Sequence, residues 1–151
     1  MPIRSLLIIA ALTATTAITT GCGSGESAAP ISEAATVTTK APGGAGPDLS
    51  AESFTDLTGE STVSVQARDN SFVKPYIEVS AGTVVEFTNK GRTQHNVIPV
   101  TDGAFAEIPT GDFEPKATDS ITLTEPCDYA YYCSLHGTTT KGMVGAIRVL
   151  E

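Results

Sequence analysis

From Ser61 onward the chain is written as short runs in which apolar and polar residues alternate, each closed by turn-forming residues. Thr62-Val63-Ser64-Val65-Gln66-Ala67 is the first run and Tyr76-Ile77-Glu78-Val79 the second. Ala81-Gly82 signals a turn before the run from Thr83 to Thr88, and Asn89-Lys90-Gly91 signals another. His95 then stands at the start of Val97-Ile98-Pro99-Val100, and further runs cover Ser120 to Thr124, Tyr129 to Cys133 and Val144 to Leu150. A period of two places alternate side chains on opposite faces of a strand. About seven to eight strands with no convincing helical stretch predict an all-β fold, an antiparallel β-sandwich whose function sits on loops at one end.

The residues with chemistry fall at that end. Cys133 and His136 are three apart, Met143 follows, and His95-Asn96 lies about forty residues upstream. One thiolate, two imidazoles and one thioether form the donor set of a blue-copper site, with two His and one Cys in a plane and a weak axial Met. The chain has only two His, and only two Met including Met1, so nothing remains for a second centre. A zinc site is an alternative, although structural zinc favours closely paired ligands and here only Cys133 and His136 are close. A nucleophilic Cys with a His base is another, and a buried Cys beside an exposed His is the plainest. Alternation puts Tyr129, Tyr131 and Cys133 on one face, expected to be the core, and likewise Met143, Gly145, Ile147 and Val149, with Arg148 pointing out. Cys133 and Met143 then belong to adjacent strand ends joined by a loop that carries His136.

Tyr131-Tyr132-Cys133-Ser134-Leu135-His136-Gly137, ending in Gly142-Met143-Val144-Gly145-Ala146-Ile147-Arg148-Val149, resembles the C-terminal copper loop of the cupredoxins, the plastocyanin-like proteins especially. Val85 to Gly91, followed by His95-Asn96-Val97, resembles that family's segment bearing the first His ligand. The likeness covers roughly Ser61 to Glu151 and implies a Greek-key cupredoxin sandwich with one type 1 copper. It also implies His95, Cys133, His136 and Met143 as metal ligands and Asn96 as the tie between the two ligand loops. The implied activity is one-electron transfer through Cu(I)/Cu(II). Three features depart from the family pattern. Six residues, Gly137 to Gly142, separate the second His from the Met where four are usual, so the axial contact is open to change and the carbonyl of Gln94 is another axial candidate. Cys127 stands where Gly is common, and about 20 Å of extended strand keeps it from pairing with Cys133, so it is expected to be an unpaired thiol. Leu135 replaces a usual Pro, and its N–H is a candidate second donor to the Cys133 sulfur beside the amide of Asn96.

With the site closed by Met143 or a carbonyl, no open position invites a substrate, and the chain is expected not to be an enzyme. The other function classes left open are a copper-holding or copper-delivery protein and a cupredoxin-like interaction domain. At the N-terminus, Arg4 is followed by an apolar stretch from Leu6 to about Ile18 and then by Thr19-Thr20-Gly21-Cys22. This reads as a secretory signal over residues 1–21, too short and too polar for a stable transmembrane helix. It resembles the bacterial lipoprotein signal, with Cys22 as the lipidated first residue of an exported, membrane-anchored protein; free secretion is the alternative. Residues 22–59, rich in Gly, Ser, Ala, Thr and Pro, are expected to be a flexible tether and residues 60–151 the domain. The formal charge of the whole chain is −8, which excludes nucleic acid as a natural ligand. From Glu60 onward twelve acidic residues face seven basic ones. Three of those seven, Lys90, Arg92 and Lys141, flank the candidate ligands, so a redox partner with an acidic docking face is expected, met by a monomer.

Overall fold

The computed structural model describes residues 46–151, so the signal and Cys22 lie outside the described residues. Nine strands are present: β1 (Thr55–Asp56), β2 (Thr62–Arg68), β3 (Ser71–Val73), β4 (Tyr76–Ser80), β5 (Val84–Asn89), β6 (Ile98–Pro99), β7 (Thr118–Thr122), β8 (Asp128–Gly137) and β9 (Gly142–Leu150). Short 3-10 turns cover Leu49–Ala51 and Thr110–Asp112, and there is no α-helix among the described residues. The strands form two sheets, ordered β1-β4-β9-β8-β6 and β3-β2-β5-β7.

The alternation read from sequence is the burial pattern of the structure. Val63, Val65 and Ala67 of β2, Ile77 and Val79 of β4, and Val85 and Phe87 of β5 all face inward. Tyr131 and Cys133 of β8 meet Met143, Ile147 and Val149 of β9 in the same core. Tyr131 is its aromatic centre: its ring lies edge-on to Phe72 at 5.0 Å and to Phe87 at 5.3 Å, the arrangement favoured by the ring quadrupoles. Burial of the ring pushes the Tyr131 phenol far above its ordinary range, and its hydroxyl donates to Pro75 O at 3.0 Å. Gly145 is needed beneath it, since a Cβ there would collide with Pro75 O and lie 2.5 Å from the Tyr131 hydroxyl.

The sandwich is as expected, but its pairing is mixed rather than antiparallel throughout. β2 pairs with β5, and β4 with both β1 and β9, in parallel, whereas β8/β9, β5/β7, β2/β3 and β6/β8 are antiparallel. Except for β2/β3 and β8/β9, consecutive strands cross between the sheets, so a strand's neighbour is often one that runs the same way; alternation along one strand carries no record of that. The domain also begins before residue 60. β1 pairs with β4, and the Arg148 guanidinium lies 4.0 Å from the centre of the Phe54 ring. Arg148 is held in turn by a two-pronged bond to Asp128 at 2.8 and 3.0 Å. Residues 54–57 are therefore packed on the sandwich, because an aromatic ring and a short strand suffice to fix a segment whose composition resembles a linker.

Candidate metal centre

The site forms where β8 departs from its partner. Pairing of β8 with β9 runs regularly to Tyr132↔Val144 and resumes at Gly137↔Gly142. Between those pairs the four residues Cys133 to His136 stand opposite Met143 alone, so they bulge from the sheet. His136, expected in the loop, is thus part of β8, and the bulge brings it and Cys133 to one point. His95 arrives from the other side, in the segment between β5 and β6, where its N–H bonds Phe113 O at 3.3 Å and the neighbouring Val97 N–H bonds Ile108 O at 3.0 Å.

Cys133 Sγ lies 3.7 Å from His95 Nδ1 and 3.5 Å from His136 Nδ1, and all three donor atoms fall within 4.8 Å of one another. Bonds of about 2.0–2.3 Å from one metal ion to nitrogen and sulfur, at angles between tetrahedral and trigonal, give N···S separations of about 3.6–3.8 Å. The distances of 3.7 and 3.5 Å match to within about 0.1 Å. Three lone-pair donors aimed at one another are chemically suited to a cation at their centre, and the soft thiolate with two imidazoles suits copper. Cys133 and His95 are wholly buried and His136 is half-buried. Burial, and then the neighbouring His136, hold His95 below the usual imidazole range, with Asp69 opposing. The neutral form is the one a metal requires.

Met143 is also buried, at 1% exposure, directly opposite the bulge. The two extra residues of the long loop do not separate it from His136. They are absorbed in a hairpin tip, Thr138 to Lys141, closed by Thr138 N–H donating to Lys141 O at 2.8 Å. Gly142 closes the tip with φ +85°, and a Cβ there would lie 2.7 Å from His136 O. Asn96 accepts from Ser134 N at 2.8 Å and donates to Ser134 Oγ at 2.8 Å, which ties the His95 segment to the bulge; a longer bond reaches Thr110 Oγ1 at 3.3 Å.

Leu135 faces solvent at 51% exposure. Among the described residues, the hydrogen-bond contacts of Cys133 Sγ run to the two imidazoles, and neither the Leu135 nor the Asn96 amide is among them. The expected second donor is therefore not seen. Gln94, an axial candidate through its carbonyl, sends its side chain to the Glu114 carboxylate. Cys127 is unpaired, partly exposed and outside the donor cluster. Sequence reasoning misses Asn89, which reads there only as turn punctuation. Its side chain is wholly buried, and a polar residue at an inward position of β5 was the available signal.

The chain matches the family of copper-binding proteins described as plastocyanin/azurin over residues 59–150. It is 35% identical over 88 residues to a plastocyanin of Solanum crispum, an alignment that covers 52% of this chain and 87% of that one. To a plastocyanin of Prochlorothrix hollandica it is 33% identical over 84 residues, covering 48% and 58%. Among solved structures, the Cu(I) form of an amicyanin variant superposes with a TM-score of 0.52 at 24% identity, covering 60% of this chain and 84% of that one. A second, reduced amicyanin variant gives 0.51 at 24%, covering 60% and 83%; at this identity the likeness speaks to the fold.

Proposed function

The chain belongs to the plastocyanin/azurin family of copper-binding proteins, and we propose that it carries single electrons between redox partners through a type 1 copper held by His95, Cys133, His136 and Met143. The observation that carries this reading is the convergence of the His95 and His136 Nδ1 atoms on Cys133 Sγ at 3.7 and 3.5 Å. Copper bound there supplies a Cu(I)/Cu(II) couple. The residues supply the rest. Cys133 and His95 exclude water from the donor atoms, Asn96 locks the two ligand segments together, and half-buried His136 offers an edge through which an electron can reach the surface. Both histidines of the chain are engaged here, so none is left for a second metal centre that turns over a substrate. A rigid donor set intermediate between the preferences of the two oxidation states keeps the rearrangement on transfer small.

The test is the visible spectrum of the copper-loaded protein. An intense blue thiolate-to-Cu(II) band is expected, absent in Cys133→Ser and retained in Cys127→Ser; loss of the band in Cys127→Ser with retention in Cys133→Ser would overturn the ligand assignment. We propose further that the protein is exported and anchored through diacylglycerol on Cys22, two acyl chains being enough for stable membrane association. Cys22→Ala should then move the protein out of the membrane fraction, and mass spectrometry of the wild type showing an unlipidated mature N-terminus would refute the anchor.

A further inference from the structure

We propose that Asn89 is the positioning residue of the copper site: its buried carboxamide fixes the loop that presents His95, and so sets where the His95 Nδ1 atom stands relative to Cys133 Sγ, without itself touching the metal. The inference rests on His95 being a copper ligand.

Asn89 is the last residue of β5 and points into the core with no solvent exposure. A buried amide is costly unless its donors and acceptor are all used, and here they are. Oδ1 accepts from Gly91 N at 2.9 Å. Nδ2 donates to Thr93 O at 2.9 Å and to Phe113 O at 2.9 Å. The three partners assign the amide orientation unambiguously, since two are carbonyls and one is an N–H. Two of them lie in the loop from Lys90 to Gln94, which would otherwise be free to choose its path between β5 and His95. The third, Phe113 O, also accepts the N–H of His95 at 3.3 Å. One carboxamide thus grips the loop at Gly91 and Thr93 and shares an acceptor with the ligand itself.

Gly91 carries the effect to the imidazole. A Cβ at Gly91 would lie 2.9 Å from His95 Nε2, 2.9 Å from Asp69 N and 3.2 Å from Asn89 Oδ1. The Gly91 backbone therefore backs directly onto the edge of the ring remote from the sulfur. His95 Nε2 itself is buried without a hydrogen-bond partner among the described residues, so no bond to them holds the ring from that side and steric support from Gly91 takes that role. Asn89 holds Gly91 in place, Gly91 supports Nε2, and Nδ1 faces Cys133. Outer groups of this kind orient a metal ligand and commonly cost tenfold or more in metal affinity when removed.

The experiment compares Asn89→Ser with Thr83→Val. Thr83 lies just ahead of the other end of β5, and its hydroxyl makes a bond of the same class, to Glu60 O at 3.0 Å. Both variants should melt below wild type. Only Asn89→Ser should also shift the Cu(II) visible and electron paramagnetic resonance spectra and weaken copper retention against a chelator, by about tenfold. Gly91→Ala keeps the Asn89 side chain but presses on Nε2, and should change the spectra in its own right; it stands in should Asn89→Ser fail to fold. Wild-type spectra and retention in Asn89→Ser, or in Gly91→Ala where the former does not fold, would overturn the inference. His95→Ala separates the two readings: if it binds Cu(II) with the wild-type spectrum, His95 is not a ligand and the inference falls with that assignment; if it loses the spectrum while Asn89→Ser keeps it, only the role of Asn89 is wrong.

Discussion

Single residues in this protein matter according to how many groups they leave unsatisfied or collide with when changed. Tyr131 donates to Pro75 O, but that carbonyl also accepts Ala146 N–H at 2.8 Å. Tyr131→Phe therefore leaves no orphaned acceptor and should cost only about 1 kcal/mol. Gly145→Ala forces a methyl group against Pro75 O and the Tyr131 ring, in a core that cannot expand, and should cost about 1–3 kcal/mol or more. Denaturant midpoints of the two variants check the order; Tyr131→Phe proving the more damaging would refute this account of the aromatic centre. The necessity of Gly145 was not legible in the sequence, because the atom it must avoid, Pro75 O, comes from a strand connection seventy residues earlier. Tyr131 and Cys133, by contrast, were placed in the core by alternation alone.

At the level of elements, the β8/β9 hairpin separates two jobs along its length. The bulge from Cys133 to His136 presents donors, and the tip from Thr138 to Lys141 only closes the turn. Replacing Thr138 to Lys141 by Asn-Gly, a two-residue connection suited to the right-handed twist of a hairpin, should keep the Gly137↔Gly142 pair and hence the blue spectrum. Gly142→Ala should not be tolerated as well. Its φ of +85° disfavours any side chain, and the methyl would press on His136 O, so a lower melting temperature and a perturbed spectrum are expected. A bleached protein from the shortened tip would mean that the loop's full length, and not the bulge, positions Met143. The departure in loop length visible in the sequence is thus resolved by register: counting residues between His136 and Met143 does not reveal that some of them leave the site and return.

For the molecule as a whole, charge is distributed against its net sign. Lys90, Arg92 and Lys141 are exposed on the segments that carry the metal ligands of an acidic chain. Asp69 partly offsets them, its carboxylate 3.9 Å from the Arg92 guanidinium in a highly exposed pair that adds little to stability. Our proposal is that this face docks a partner that is acidic around its own redox centre. Reversing the three residues to Glu should slow bimolecular electron transfer to the native partner and flatten its dependence on salt, since steering is screened over about 8 Å at physiological ionic strength, with colour nearly unchanged. Equal rates for variant and wild type at low salt would move the docking surface to the half-buried edge of His136.

The sequence by itself determined the strand periodicity, the inward residues of most strands and the donor types of the site, because side-chain alternation and metal chemistry are local properties written residue by residue. It also determined that only one such site can exist, since two histidines and, Met1 aside, one methionine admit no second. Only the tertiary structure decided which strands are parallel neighbours, that residues 54–57 pack on the sheet, that the bulge sets Met143 opposite Cys133 and His136, and that Asn89 grips the His95 loop. Each of these depends on contacts between segments far apart along the chain. Hydrogen-bond register and backbone clearance select among such contacts, and neither quantity exists until the two sheets have closed on a common core.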